Sequence, residues 1–509
     1  MRAHLVGLCP VFILVLAASC SSGGSATPAP DGGSEAAVQP EGGAPEASPE
    51  ASPEAGVTTL SSLTVSSGDL RPVFSASVTS YDITSLNSLY PVTVVASPTD
   101  DDATLTINGS PATGGVASTF TPKVNEDITV VVSNGGASQT YTVRYVPSDL
   151  LRVTTTTTPQ AGSEDLLLST VSLNPAVETY AIVMDRAGNY VYYRTFLQQE
   201  IQDFQQYKLA SGATVYACTV GEFNPAGWTL GVDHVMDDKF NDLTDIQILP
   251  YAQHPTLPAE AHDFVMLDAN HWIAMTYVQR TVDLSKLNPA WSSQAPVMNA
   301  IVQEVNSGSV VGEWDSGNEM ELYTDSVDGN AFGSIAVSDY LHLNSVTVDP
   351  ADGNWILSFR HLNAIVKVDH TTAKILWTLG GKEDMFGLTA DQAFSHQHHV
   401  RVQADGSLTV FDNGNDAHQS RAISFVLDET NHKVTSFQVL AERPLADPQT
   451  GFMGSVTPLP QERLLVGWGG WFTTQTAPAG VEYVNGQVAW SFQFDGPIFS
   501  YRALPITAL

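Results

Sequence analysis

The chain has 509 residues, more than one ordinary hydrophobic core accommodates, so two or more domains are expected. Charged residues make up 15%, and 54 Asp plus Glu against 21 Lys plus Arg leave a formal charge of −33. A surface of that sign repels nucleic acid phosphates and anionic lipid headgroups, which argues against both as partners.

Residues 1–20 read as an export signal: Arg2, an apolar run from Val11 to Leu16, then small residues. The run is too short to span a bilayer as a stable helix. Leu16-Ala17-Ala18-Ser19-Cys20 resembles a bacterial lipobox, with Cys20 as the lipidated N-terminus; the plainer alternative is a cleaved signal with a chance cysteine. The expectation is an exported lipoprotein, on the periplasmic side of the outer membrane or at the cell surface, that meets the membrane only through its lipid. Residues 21–57 are Gly, Ser, Ala, Pro and Glu with almost nothing apolar to bury, which predicts a flexible tether. Cys218 is then the lone cysteine of the globular part, with no partner for an internal disulfide and buried filler as its expected fate.

From 58 to 148 short alternating apolar segments are punctuated by Asn108-Gly109 and Asn134-Gly135. That spacing predicts a small β-sandwich. Gly68-Asp69-Leu70, Phe74 and Tyr81-Asp82-Ile83 resemble the cadherin-like β-sandwich module of bacterial surface proteins. Asp100-Asp101-Asp102 reads as a solvated turn rather than a calcium loop, because calcium ligands want alternate positions.

Residues 149–509 carry a repeat. Apolar hairpins follow Ala261-His262-Asp263-Phe264, Leu341-His342-Leu343-Asn344-Ser345 and Ser395-His396-Gln397-His398-His399; a fourth, without histidine, starts at Gly454-Ser455. Second hairpins are expected at 182–193, 301–314, 365–377, 423–437 and 481–490. Two hairpins per unit of roughly 50–60 residues predict propeller blades, about six. The fold expected is all-β, a six-bladed β-propeller preceded by a small β-sandwich.

Starts of inner strands gather around a propeller's axis, so His262, His342 and His398 are expected to converge. Asn344 lies two positions from His342, which on a strand places both on one face, and Arg360 follows the next strand. Imidazoles serve as nucleophile and proton shuttle. Arginine with neutral donors suits a sulfuryl or phosphoryl group. No carboxylate pair suited to glycoside hydrolysis accompanies them. His361, His396 and His399 carry no independent argument, and strand alternation points His399 away from His398. Asn413 reads as part of a turn, and Trp468 and Trp471 as weak candidates for stacking on a phenol ring.

His342-x-Asn344-Ser345-Val346, Ser358-Phe359-Arg360, Ile375-Leu376-Trp377-Thr378-Leu379-Gly380-Gly381, Gln397-His398, Asp412-Asn413-Gly414 and Ser420-Arg421 resemble the bacterial aryl-sulfate sulfotransferase family. The resemblance implies sulfuryl transfer from an aryl sulfate donor to a phenolic acceptor, without phosphoadenosine phosphosulfate and without a metal or other cofactor. It implies a ping-pong route through a sulfated His398, with His342, Asn344 and Arg360 at sulfate-binding and transfer positions and His262 as the remaining channel histidine. The chain departs from better-known members in lacking a cysteine pair and in its adhesive-type sandwich. Two other readings remain open: a zinc hydrolase ligated by the three histidines, and a non-catalytic propeller that only binds at a surface.

Overall fold

The structure is a computed structural model that describes residues 56–506 apart from 67–69, 84–91, 121–126, 145–149, 151–152, 175–176, 197, 253 and 416–417. The expected signal, Cys20 and nearly all of the tether lie outside the described residues. Among those described, helix is limited to the α-turn Leu322–Asp325 and the 3-10 turns Ser316–Asn318 and Arg360–Leu362, and none is long and apolar enough to cross a membrane.

The N-terminal part is a β-sandwich. One sheet orders Leu60–Val65, Val92–Pro98 and Ser118–Phe120; the other has six strands, with Asp127–Asn134 and Ala137–Arg144 at its centre. Burial alternates along Val92–Pro98 and Asp127–Asn134, the period-2 pattern of strands with one face in a core. Asn108 and Gly109 both take positive φ, 49° and 73°, the backbone that an Asn-Gly hairpin turn favours. Asp100 closes a turn: its carboxylate accepts from Asp102 N at 3.0 Å and Asn134 Nδ2 at 2.9 Å.

From Val153 onward the chain forms a β-propeller of four- and five-stranded antiparallel sheets. The inner edge strands are Ile498–Ile506, Glu200–Lys208, Phe264–Asp268, Leu343–Val348, His398–Val402 and Ser455–Leu459. Each lies against the next in that order, and the last against the first. The second hairpins expected from sequence form, among them Ala364–Val368 with Ile375–Gly380 and Arg421–Asp428 with Lys433–Glu442.

Two pairings join the ends of the ring. Ile498–Ile506 pairs with Asp165–Ser172, and Val153–Thr157 pairs with Gln487–Phe494. The sheet built on Glu200–Lys208, Thr214–Asn224, Trp228–Met236 and Asp242–Ile246 carries no histidine start and was not legible as a repeat.

Below the mouth, buried Asp263 ties several inner strands together. Its carboxylate accepts from Arg401 Nη1 and Nη2 (2.8 and 2.9 Å), Arg502 Nη1 (3.0 Å), Gln205 Nε2 (3.1 Å) and Val346 N (2.9 Å). Arg502 also pairs with buried Asp203. Buried charges persist only when paired in this way.

Candidate active site

An inner strand that starts at one end of the ring is followed by a strand that returns to that end. The residues before the first strand and those after the second therefore share one mouth. Three histidines precede or open inner strands: His262 before Phe264–Asp268, His342 before Leu343–Val348, and His398 at the head of His398–Val402. Arg360 follows Trp355–Phe359, and Asn413 follows Leu408–Asp412. All five belong to the same end.

The expected rings come together. His262 and His342 stand 4.8 Å apart, centroid to centroid, nearly edge to face. His398 is buried to 4% exposure. Burial pushes its imidazole well below the ordinary histidine range, and the charge of nearby Arg360 pushes the same way, with smaller contributions from His262 and His342. Arg360 is mostly covered; its Nη2 donates to Gly451 O at 3.3 Å and its Nη1 lies 3.7 Å from Asp328 Oδ2.

Each ring is oriented through Nδ1. His398 Nδ1–H donates to Asn413 Oδ1 at 2.8 Å, with His396 O at 3.0 Å. Both partners are acceptors, so the proton sits on Nδ1 and the lone pair on Nε2. His262 Nδ1–H donates to Glu260 Oε1 at 2.7 Å, and His342 Nδ1–H to Asp339 Oδ2 at 2.5 Å. Burial raises the Asp339 carboxyl and lowers the His342 imidazole, so both effects favour the uncharged forms in this pair.

Several placements differ from the sequence reading. His342 has a left-handed backbone, φ 49°, and the register shifts between Leu343 and Ser345, so Asn344 is a bulged residue and simple alternation does not place it. It reaches the site by another route: Asn344 Nδ2 donates to Gln397 O at 2.7 Å, beside His398, and its Oδ1 is buried without a partner. His361 is not a bystander; its ring is 4.8 Å from His342 and its Nδ1–H donates to Asp339 O at 2.5 Å. His396 sits near Asp328 at the same mouth. His399 does turn away, accepting from Val456 N at 3.2 Å.

Sequence reasoning passed over two side chains that hold the rings and read a third, Asn413, as part of a turn. Glu260 and Asp339 stand two and three residues before their histidines, a spacing that was readable. Asn413 stands 15 residues after His398 and acts across two strands, which no local pattern discloses. Trp468 and Trp471 are buried, with Arg443 over both rings. Next to Trp471, Phe472 is exposed, 75% accessible, and 4.9 Å from Phe452.

The family model for arylsulfotransferase (ASST) matches residues 151–440, more than half of the chain and most of this site. The chain belongs to the arylsulfotransferase family. A model for a cadherin-like beta sandwich domain matches residues 60–147. No curated protein is detectably similar. Among solved structures, the chain is similar to a quinonprotein alcohol dehydrogenase-like protein from Bacteroides thetaiotaomicron, at 11% identity over 86% of this chain and 98% of that one, with a TM-score of 0.35. It is also similar to virginiamycin B lyase from Staphylococcus aureus, at 10% identity over 78% and 96%, with a TM-score of 0.28.

Among the described residues of this arylsulfotransferase, one group spaced for a cation is Asp339, His342 and His361, which differs from the three histidines of the zinc alternative. Tetrahedral zinc ligands at ~2.0–2.1 Å from the metal stand roughly 3.3 Å from one another. The 2.5 Å contact of Asp339 with His342 is a hydrogen bond, too short for that geometry, and Arg360 adds an adjacent positive charge. A second group, Asp349, Asp352 and Glu429, already surrounds a cation: Lys367 Nζ lies 2.7, 2.8 and 2.8 Å from the three.

Proposed function

We propose that this arylsulfotransferase moves a sulfuryl group from a phenolic sulfate ester to a phenolic acceptor in two steps, through a sulfated His398 and without a nucleotide donor. The observation that carries the reading is the orientation of His398. A buried, neutral ring whose Nδ1–H is held by Asn413 presents an Nε2 lone pair beside a guanidinium, the arrangement a nucleophile for an anionic group requires.

In the first step Nε2 attacks sulfur and the S–O(aryl) bond breaks. Its electron pair leaves on the phenolate, which departs through the mouth and takes its proton from water. In the second step the acceptor phenol gives its proton to the open Nε2 of His262 or His342, each of which holds its own proton on Nδ1, as its oxygen attacks sulfur, and that proton then passes to water. The N–S bond breaks and its electrons return to Nε2. Arg360 balances the charge on the sulfuryl oxygens, and Asn344 offers the second N–H of its amide. Phe452 and Phe472, next to Met453 and the mouth, form a wall for the aryl ring. The ring of inner strands is taken as six blades around one axis, and the export signal with Cys20 as delivering the enzyme, lipid-anchored, to the periplasm or cell surface.

The test is p-nitrophenyl sulfate with and without added phenol. Nitrophenol release that depends on the acceptor, and acid-labile sulfate on the protein that disappears in His398→Ala with the fold intact by circular dichroism, is the expected result. Wild-type turnover by His398→Ala would remove His398 as nucleophile. Hydrolysis without an acceptor that is abolished by chelators would favour the zinc reading.

A further inference from the structure

We infer that the backbone N–H of Met453 is a catalytic hydrogen-bond donor, which occupies the place of the missing fourth histidine and holds a sulfuryl oxygen during transfer to and from His398. This rests on the transferase reading above and extends it to a group that no side-chain motif supplies.

The fourth histidine-type hairpin opens at Gly454-Ser455 without an imidazole. In the structure the residue just before it turns its amide toward the site: Met453 N lies 3.3 Å from His398 Nε2. That contact is long for a hydrogen bond to nitrogen, so the amide is easily drawn off Nε2. When an N–S bond forms at Nε2, sulfur takes the space the N–H faced, the amide shifts outward to clear it, and a sulfuryl oxygen one bond beyond sulfur becomes its acceptor. No proton or electron passes through the amide; it exchanges one acceptor for another. A donor aimed at the position where charge resides in transfer is the arrangement that stabilises an oxyanion.

The loop is built to keep the amide there. Met453 has φ 63° and Gly454 φ 112°, an unfavourable backbone for an L-residue at the first position. Asn413, which orients His398, also donates its Nδ2 to Met453 O at 3.1 Å, and Arg360 donates to Gly451 O. One short segment thus joins three of the site's side chains. On the other side Gly451 N donates to Gly470 O at 2.9 Å, and Gly470 N to Phe452 O at 3.0 Å. A Cβ on Gly469 would fall 2.5 Å from Phe452 O, and one on Gly470 2.2 Å from the Phe452 ring. The glycines of Trp468-Gly469-Gly470-Trp471 therefore supply clearance for this loop.

Replacing the Met453 amide by an ester, with the α-hydroxy analogue of methionine, deletes the N–H and keeps the side chain. Single-turnover nitrophenol release from p-nitrophenyl sulfate, and desulfation of the labelled enzyme by phenol, should both slow by on the order of 10². The KM for the donor should change little. Gly469→Ala, which displaces the Phe452 carbonyl, should show the same slowing. An ester protein with wild-type rates in both half-reactions overturns the inference. His398→Ala measured alongside separates the two claims: if it is inactive while the ester protein is normal, only the amide's role falls, and if it is active, both fall.

Discussion

His398 is a neutral ring by construction. Its burial and the neighbouring Arg360 both oppose a second proton, so the proposed nucleophile stays unprotonated below the ordinary histidine pKa of ~6.5. The expected consequence is a donor kcat/KM that is flat from pH 8 to below 6.5 and declines only in more acid solution. A titration midpoint at or above 6.5 would contradict it. Asn413 carries the orientation of that ring; Asn413→Ala should lower kcat by on the order of 10² while donor binding is retained, as read by KM. At this scale the histidines, Asn344 and Arg360 could be picked out because the proposed transfer calls for those residue types, and the structure places them at one mouth. Glu260, Asp339, His361 and Asn413 were not used, since their roles depend on contacts outside the strands that carry the motif.

At the scale of elements, alternation is a sound guide along regular strands and fails where a strand is bent. Asn344 illustrates this: the left-handed His342 and the bulge after Leu343 re-aim a side chain that a straight strand would have placed differently. Hairpins were readable from Asp-Gly and Asn-Gly punctuation, whereas the partner of each sheet's edge was not. Asp263 shows why the inner strands hold their positions. Asp263→Asn takes from buried Arg502 and half-buried Arg401 their shared carboxylate, so a loss of about 3–5 kcal/mol is expected, measured by urea denaturation. A change under 1 kcal/mol would mean that the network adds little to the ring.

The whole molecule depends on closure. Ile498, Phe499, Tyr501, Ala503 and Ile506 are all buried, and four of them are large enough that burying each contributes about 1.5–3 kcal/mol. The sum is comparable to the total stability of a typical domain, ~5–15 kcal/mol. Deleting 498–509 should therefore leave no cooperatively folded propeller, seen as loss of the thermal transition; a truncated protein that melts near the full-length temperature would show that the ring closes without this strand. By itself the sequence determined the all-β class, the sandwich ahead of the propeller and the residue types of the site, because strand alternation, turn chemistry and reactive side chains are local properties. Only the tertiary structure decided which strand closes the ring, which acceptor holds each imidazole and that a backbone amide stands opposite His398. Those contacts join positions tens to hundreds of residues apart, and a strand edge or an unpaired N–H carries no mark in sequence of the partner it will meet.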